Sequence, residues 1–168
     1  MSRSPVHVAI RRYRAEDAPH LAALYVRSVE AIGPRDYSAE QVAAWASLAP
    51  SAARIHAMAT DGRVTLVAAD AADRPVAFGD LEPDGHIAYL YCAPEAAGSG
   101  IASALYDELE AIARAAGVVR LSSEASEAAR RLFVRKGFVV TATRRLEIEG
   151  VRIHNHAVEK ALTADPAG

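Results

Sequence analysis

The sequence predicts an α+β domain, a mixed sheet with helices on its faces. Three observations carry that expectation. Val64 to Cys92 holds three short apolar runs separated by tight turns. Past Gly100 the apolar period changes from two to three or four. Strand and helix patterns then alternate to the end of the chain.

Taken in order, Val6–Arg11 reads as a first strand. Asp17 ahead of Pro19 marks a helix start, because proline is tolerated in a first turn. Leu21, Leu24, Tyr25 and Ile32 follow near helical spacing, Ser28 interrupts them, and Gly33-Pro34 ends the helix. Ser38 and Gln41 have the spacing of a capping box, with Val42, Trp45 and Leu48 on one face behind it. Pro50-Ser51 breaks that helix, and a short third one runs through Ile55 and Met58. Val64–Ala69, Val76–Leu81 and Ile87–Cys92 are joined by turns at Asp73-Arg74-Pro75 and Pro83-Asp84-Gly85, the pattern of an antiparallel meander. Ile101, Ala104, Leu105, Leu109, Ile112 and Ala116 form an amphipathic helix capped by Gly117. Val118–Ser122 is a strand and Ala125–Lys136 a helix closed by Gly137. Phe138–Ile148 and Val151–Val158 are strands around Glu149-Gly150.

At 168 residues, one domain over 6–162 is expected, with 1–5 and 163–168 as loose termini. A net charge of -2 gives no basic footprint for nucleic acid or an anionic membrane. One cysteine, Cys92, allows neither an internal disulfide nor a cysteine metal cluster. No apolar run spans a bilayer, and Met1–Pro5 lacks the apolar core of a signal peptide, so a cytoplasmic protein is expected.

The most informative segment is Ile87 to Leu105: strand, glycine-containing turn, helix start. The first amides of a helix have no internal partner, and the helix dipole makes that end partly positive. Glycine lets a ligand come close to the backbone. Gly98 and Gly100 at the head of the helix therefore suit an anion, a diphosphate above all. Gly-x-Gly alone also fits a plain loop. The dinucleotide fingerprint is incomplete, since its third glycine falls on Ser103 and the turn follows a meander. No Lys-Ser/Thr follows, which argues against a P-loop.

Leu90-Tyr91-Cys92-Ala93-Pro94 ahead of Gly98-Ser99-Gly100-Ile101-Ala102, in this order of elements, resembles the GNAT superfamily of acetyl-CoA-dependent N-acetyltransferases. The family's Arg/Gln-x-x-Gly-x-Gly/Ala motif falls on Ala97-Gly98-Ser99-Gly100-Ile101-Ala102, ahead of Ser103. A second motif, Asn-x-x-Ala-x-x-Phe-Tyr-x-x-x-Gly-Phe, falls on Ser126, Ala129, Leu132, Phe133, Gly137 and Phe138. The resemblance implies a three-layer α/β sandwich whose mixed, mostly antiparallel sheet is splayed between its fourth and fifth strands. It implies acetyl-CoA as co-substrate, pantetheine along Leu90, Tyr91 and Cys92, and diphosphate on the amides of Gly98 to Ala102, with no metal. The acceptor is a small-molecule or protein amine entering near the first helices. A homodimer is allowed, because family members often dimerise. Two positions depart from the family. Ala97 replaces the Arg/Gln side chain, so backbone amides must hold the phosphate. Phe133 replaces a frequent Tyr that protonates the departing thiolate, which leaves that task to solvent or a nearby hydroxyl such as Tyr91 or Ser126.

Direct attack by an amine needs a base, because the amine arrives protonated. Glu82, at the end of the third strand, is the first candidate, with Asp80, Asp84, His86 and Glu124 as alternatives. A main-chain N–H near Cys92 would meet the oxyanion. His154 and His156 share one strand face, but sequence spacing supplies no third ligand, so an ordinary strand is expected. Cys92 reads as a small core residue. Tyr37 and Trp45 read as helix-packing residues, and Arg130, Arg131 and Arg135 as a helix face or as contacts to CoA phosphates. Two rival functions remain: a non-catalytic acetyl-CoA-binding sensor or scaffold, which the absent Tyr allows, and a nucleotide-binding module using the same turn.

Overall fold

The computed structural model describes residues 7–162. The expected loose termini, and Val6 of the first strand, lie outside them.

In chain order the elements are β1 (Ala9–Arg12), α1 (Ala18–Ile32), α2 (Ala39–Ala46), α3 (Ala52–Ala59), β2 (Val64–Ala69), β3 (Pro75–Leu81), β4 (Leu90–Cys92), α4 (Ile101–Ala115), β5 (Arg120–Ala125), α5 (Glu127–Arg135), β6 (Val139–Ile148) and β7 (Val151–Ala161). The strands form two antiparallel half-sheets, β1-β2-β3-β4 and β5-β7-β6. Strand alternation sorts their side chains. Leu66, Ala68 and Ala77 join Leu105 and Leu109 of α4 on one face, while Val67 and Phe78 join Leu21 and Leu24 of α1 on the other. The result is a three-layer α+β sandwich, with the sheet parted between β4 and β5.

One staple joins the halves. His86 bridges Ser122 in parallel, with Ile87 N–H donating to Ser122 O at 2.8 Å and Ser122 N–H to Gly85 O at 3.1 Å. Beyond it the chains diverge. Gly85 makes the staple possible: its φ is +97°, and a Cβ there would lie 2.1 Å from Arg120 O.

Local chemistry explains where elements depart from their expected bounds. Ile87–Cys92 is not one strand, because the buried Asp80 carboxylate (3 % exposed) accepts from the amides of Ala88 and Tyr89 at 2.8 and 2.9 Å. Those amides leave the ladder, and β4 keeps only Leu90–Cys92. The strand expected from Val118 starts at Arg120. Val118 N–H donates to Ala113 O and Gly117 N–H to Arg114 O, a Schellman closure of α4 that uses the amide a strand would need. Ala125 closes β5 opposite His156 instead of opening α5, because Ser126 caps that helix by accepting from Ala129 N–H. Ser28 does not interrupt the buried stripe of α1, being itself 5 % exposed. Asp17 does not cap α1 through its side chain; its carboxylate takes the Arg14 amide and the Arg11 guanidinium. Ser38 and Gln41 form the expected capping box.

Candidate active site

The split sheet opens a cleft of ≈ 270 Å³ beside β4, the glycine turn and α5. Leu90, Tyr91, Cys92, Ala97, Gly98, Ala102 and Ser126 line it. Antiparallel register decides which backbone groups face it. Ala93 N–H bonds Val76 O, so Tyr91 opposite Phe78 also points its main chain toward β3. Leu90 and Cys92, in the alternate pairs, turn their N–H and C=O groups to the cleft. Side chains alternate too: Leu90 and Cys92 pack toward α4, while Tyr89 and Tyr91 pack toward the first helices.

At the turn, Gly98 (φ 75°) and Gly100 (φ 85°) are left-handed, a conformation that strains any residue with a Cβ. Among the described residues, the amides of Gly98, Gly100, Ile101, Ala102 and Ser103 donate to no main-chain carbonyl. The amides of Ala97 and Ser99 are taken, by Pro94 O and Ala96 O, and the Ser99 hydroxyl also bonds Ala96 O. Ala97 therefore offers neither the Arg/Gln side chain nor a free N–H. Two other sequence candidates lie off the cleft. Phe133 is 1 % exposed, ring to ring with Tyr106 and Phe138, and the Ile101 side chain is in the core. Arg130 and Arg131 are paired with Glu127 and Asp36. Arg135 lines the cleft without an ion pair among the described residues.

A second pocket, ≈ 130 Å³, adjoins the cleft and shares Tyr37, Trp45, Tyr91 and Ser126 with it. Tyr25, Leu146, Ile148 and Ile153 extend its apolar wall, and Glu124, His154 and Asn155 supply polar groups. Tyr37 and Trp45, expected to serve only helix packing, thus also line both hollows. Their reach across to β7 depends on contacts far apart in sequence, such as Tyr37 Oη donating to His154 O at 3.1 Å.

The staple brings Glu82, His86 and Glu124 together. His86 Nδ1 lies 2.6 Å from Glu82 Oε2, and His86 Nε2 lies 2.6 Å from Glu124 Oε2. Burial opposes the imidazolium, but hydrogen bonds to Glu124 and Glu82 outweigh it, and the His86 pKa is raised above its ordinary value. Of the three, Glu124 lines the pocket, while Glu82 lies behind His86 and also meets Arg63 at 3.3 Å. Asp80 is occupied by Arg63 and two amides, and Asp84 Oδ1 accepts the His86 amide. Burial pushes the Cys92 thiol up to about 11, which disfavours a thiolate nucleophile. Burial likewise holds the Tyr91 phenol well above its usual range, keeping its proton available as a donor. His154 and His156 do share a face, and Glu127 at the start of α5 meets both.

Known proteins share this fold. The family model described as acetyltransferase (GNAT) domain matches residues 34–160. The chain is 28% identical over 149 residues to YafP of Escherichia coli K12, an uncharacterized N-acetyltransferase, covering 89% of this chain and 93% of that one. It superposes on a GCN5-related N-acetyltransferase from Rhodopseudomonas palustris with a TM-score of 0.84 and 36% identity, covering 96% of this chain and 99% of that one. The phosphinothricin acetyltransferase of Sinorhizobium meliloti, solved in complex with AcCoA, matches in fold with a TM-score of 0.73 at 20% identity, covering 96% and 91%.

Proposed function

The chain belongs to the GNAT acetyltransferase family, and from that premise we propose that it transfers the acetyl group of acetyl-CoA to the primary amine of a small molecule with an apolar body. One observation carries the acceptor class: Glu124 is the single carboxylate lining a mainly aromatic and aliphatic pocket, which also holds Ser126, His154 and Asn155 and opens onto the cleft. A carboxylate draws an ammonium, and aromatic faces receive a cation together with the carbon skeleton behind it.

The cleft suits the co-substrate. The free amides of Gly98, Gly100, Ile101, Ala102 and Ser103 fit a diphosphate, and Arg135 supplies a cation in the same cleft. The cleft-facing main chain of Leu90 and Cys92 suits the amides of a pantetheine arm. Acetyl-CoA supplies an activated thioester carbon; this chain's residues position it and move protons. Glu124 takes a proton from the ammonium and passes it to Nε2 of neutral His86, while Glu82 holds the Nδ1 proton. The Cys92 N–H faces the thioester carbonyl as it gains charge. As the C–N bond forms and the C–S bond breaks, the Tyr91 hydroxyl donates its proton to the departing thiolate, the task that Phe133 cannot perform, and the second proton lost by the acylated nitrogen returns to the Tyr91 oxygen.

The test is thiol release from acetyl-CoA across a panel of primary amines, for wild type and E124Q. Turnover on small aryl or alkyl amines, lowered about 100-fold in E124Q, is expected. Tight acetyl-CoA binding with no turnover on any amine would point instead to a sensor.

A further inference from the structure

We propose that Glu127, His154 and His156 form a binding site for a divalent transition-metal ion, Zn²⁺ being the best match, at the rim of the acceptor pocket. His154 and His156 lie two apart on β7 and so project from one face. Glu127 opens α5, and its Oε1 stands 2.9 Å from His154 Nε2 and 2.6 Å from His156 Nε2. All three ligand atoms lie within 4.8 Å of one another. A tetrahedral Zn²⁺ at about 2.0–2.1 Å from each ligand needs separations near 3.3 Å, within reach of small side-chain rotations. Two imidazoles and one carboxylate are also the donors that Zn²⁺ takes with a fourth position open.

The surroundings support ligands rather than a chance meeting. Thr143 Oγ1 lies 3.2 Å from His156 Nδ1, the outer contact that fixes a ligating ring. Arg130 holds the other carboxylate oxygen, Oε2, at 3.0 and 3.1 Å, leaving Oε1 to face the rings. Tyr37 Oη accepts from Glu127 N–H and donates to His154 O, tying the two ligand-bearing segments together. His154 is half-exposed, its side chain 37% accessible, and it lines the acceptor pocket, so the fourth position opens there to water or an acceptor heteroatom.

Without metal, the Nε2–H groups donate to Glu127 Oε1. On binding, a neutral ring shifts its proton to Nδ1, and a charged ring releases one proton to solvent. For His156 the Nδ1–H is then received by Thr143 Oγ1.

Chelator-treated, untagged full-length protein is titrated with Co²⁺, followed by its visible absorption, and with Zn²⁺ by calorimetry, in the absence of acetyl-CoA. The expected result is one ion per chain with the intense bands of a tetrahedral centre. Binding should weaken at least tenfold in H154A and E127Q, and about tenfold in T143A, whose side chain is exposed. No binding to the wild type at millimolar metal, or undiminished binding in both H154A and E127Q, overturns the site and leaves a hydrogen-bonded clasp. Neither outcome bears on acetyl transfer, which this titration does not measure.

Discussion

His86 stands between two carboxylates contributed by opposite sides of the sheet split. Its pKa is raised by those carboxylates above the ordinary value of about 6.5, so it becomes a proton acceptor at a higher pH than a free imidazole does. The sign for catalysis follows. kcat/KM should rise with pH through a midpoint above that value, and H86Q should lower the plateau about 100-fold and remove the midpoint. A full set of rates against pH for both proteins checks this. The complementary role is the one proposed for Tyr91. Y91F should lower kcat with little change in the acetyl-CoA KM, and the loss should shrink with an acyl donor whose leaving thiol is more acidic. These residues differ in how far the sequence revealed them. Glu82, His86 and Glu124 were visible as acids and bases near turns. Their hydrogen-bonded order was not, because Glu124 is 38 residues beyond His86 and meets it only through the staple. Glu127 was likewise invisible as the partner of His154 and His156, since nothing in local spacing links the start of a helix to a strand 27 residues on.

At the scale of elements, what is local in sequence was legible. The Ser38–Gln41 box and the glycine closures of α4 and α5 depend on neighbours within a few residues. The shortness of β4 was not, because it depends on a buried carboxylate on the neighbouring strand taking two amides from the ladder. The His86–Ser122 staple shows the same dependence on close packing, and G85A tests it. The substitution forces alanine into a positive φ and sets its Cβ against Arg120 O, so a loss of about 2 kcal/mol or more is expected. Urea denaturation of the two proteins measures it. If G85A matches the wild type, the staple is not what holds the half-sheets in register.

Across the whole molecule, one arrangement accounts for cleft, pocket and the proposed proton path together. The half-sheets touch at His86 and Ser122 and part beyond, so the same contact that aligns Glu82, His86 and Glu124 also opens the hollow along Leu90 to Cys92. The α+β class and the order of elements could be read from periodicity, and the glycine turn from two residues. Which amides are free could not: Ala97 turns its own N–H to Pro94 O, so the anion site narrows to Gly98, Gly100 and the first residues of α4. Acetyl-CoA is expected to lie in this split with its thioester facing Glu124. A crystal structure of the complex tests it most directly. Diphosphate oxygens within hydrogen-bond distance of the Gly98, Gly100 and Ala102 amides, with the acetyl oxygen at Cys92 N–H and the acetyl carbon toward Glu124, are expected. A diphosphate bound away from that turn, or an acetyl group directed away from Glu124, would contradict the account.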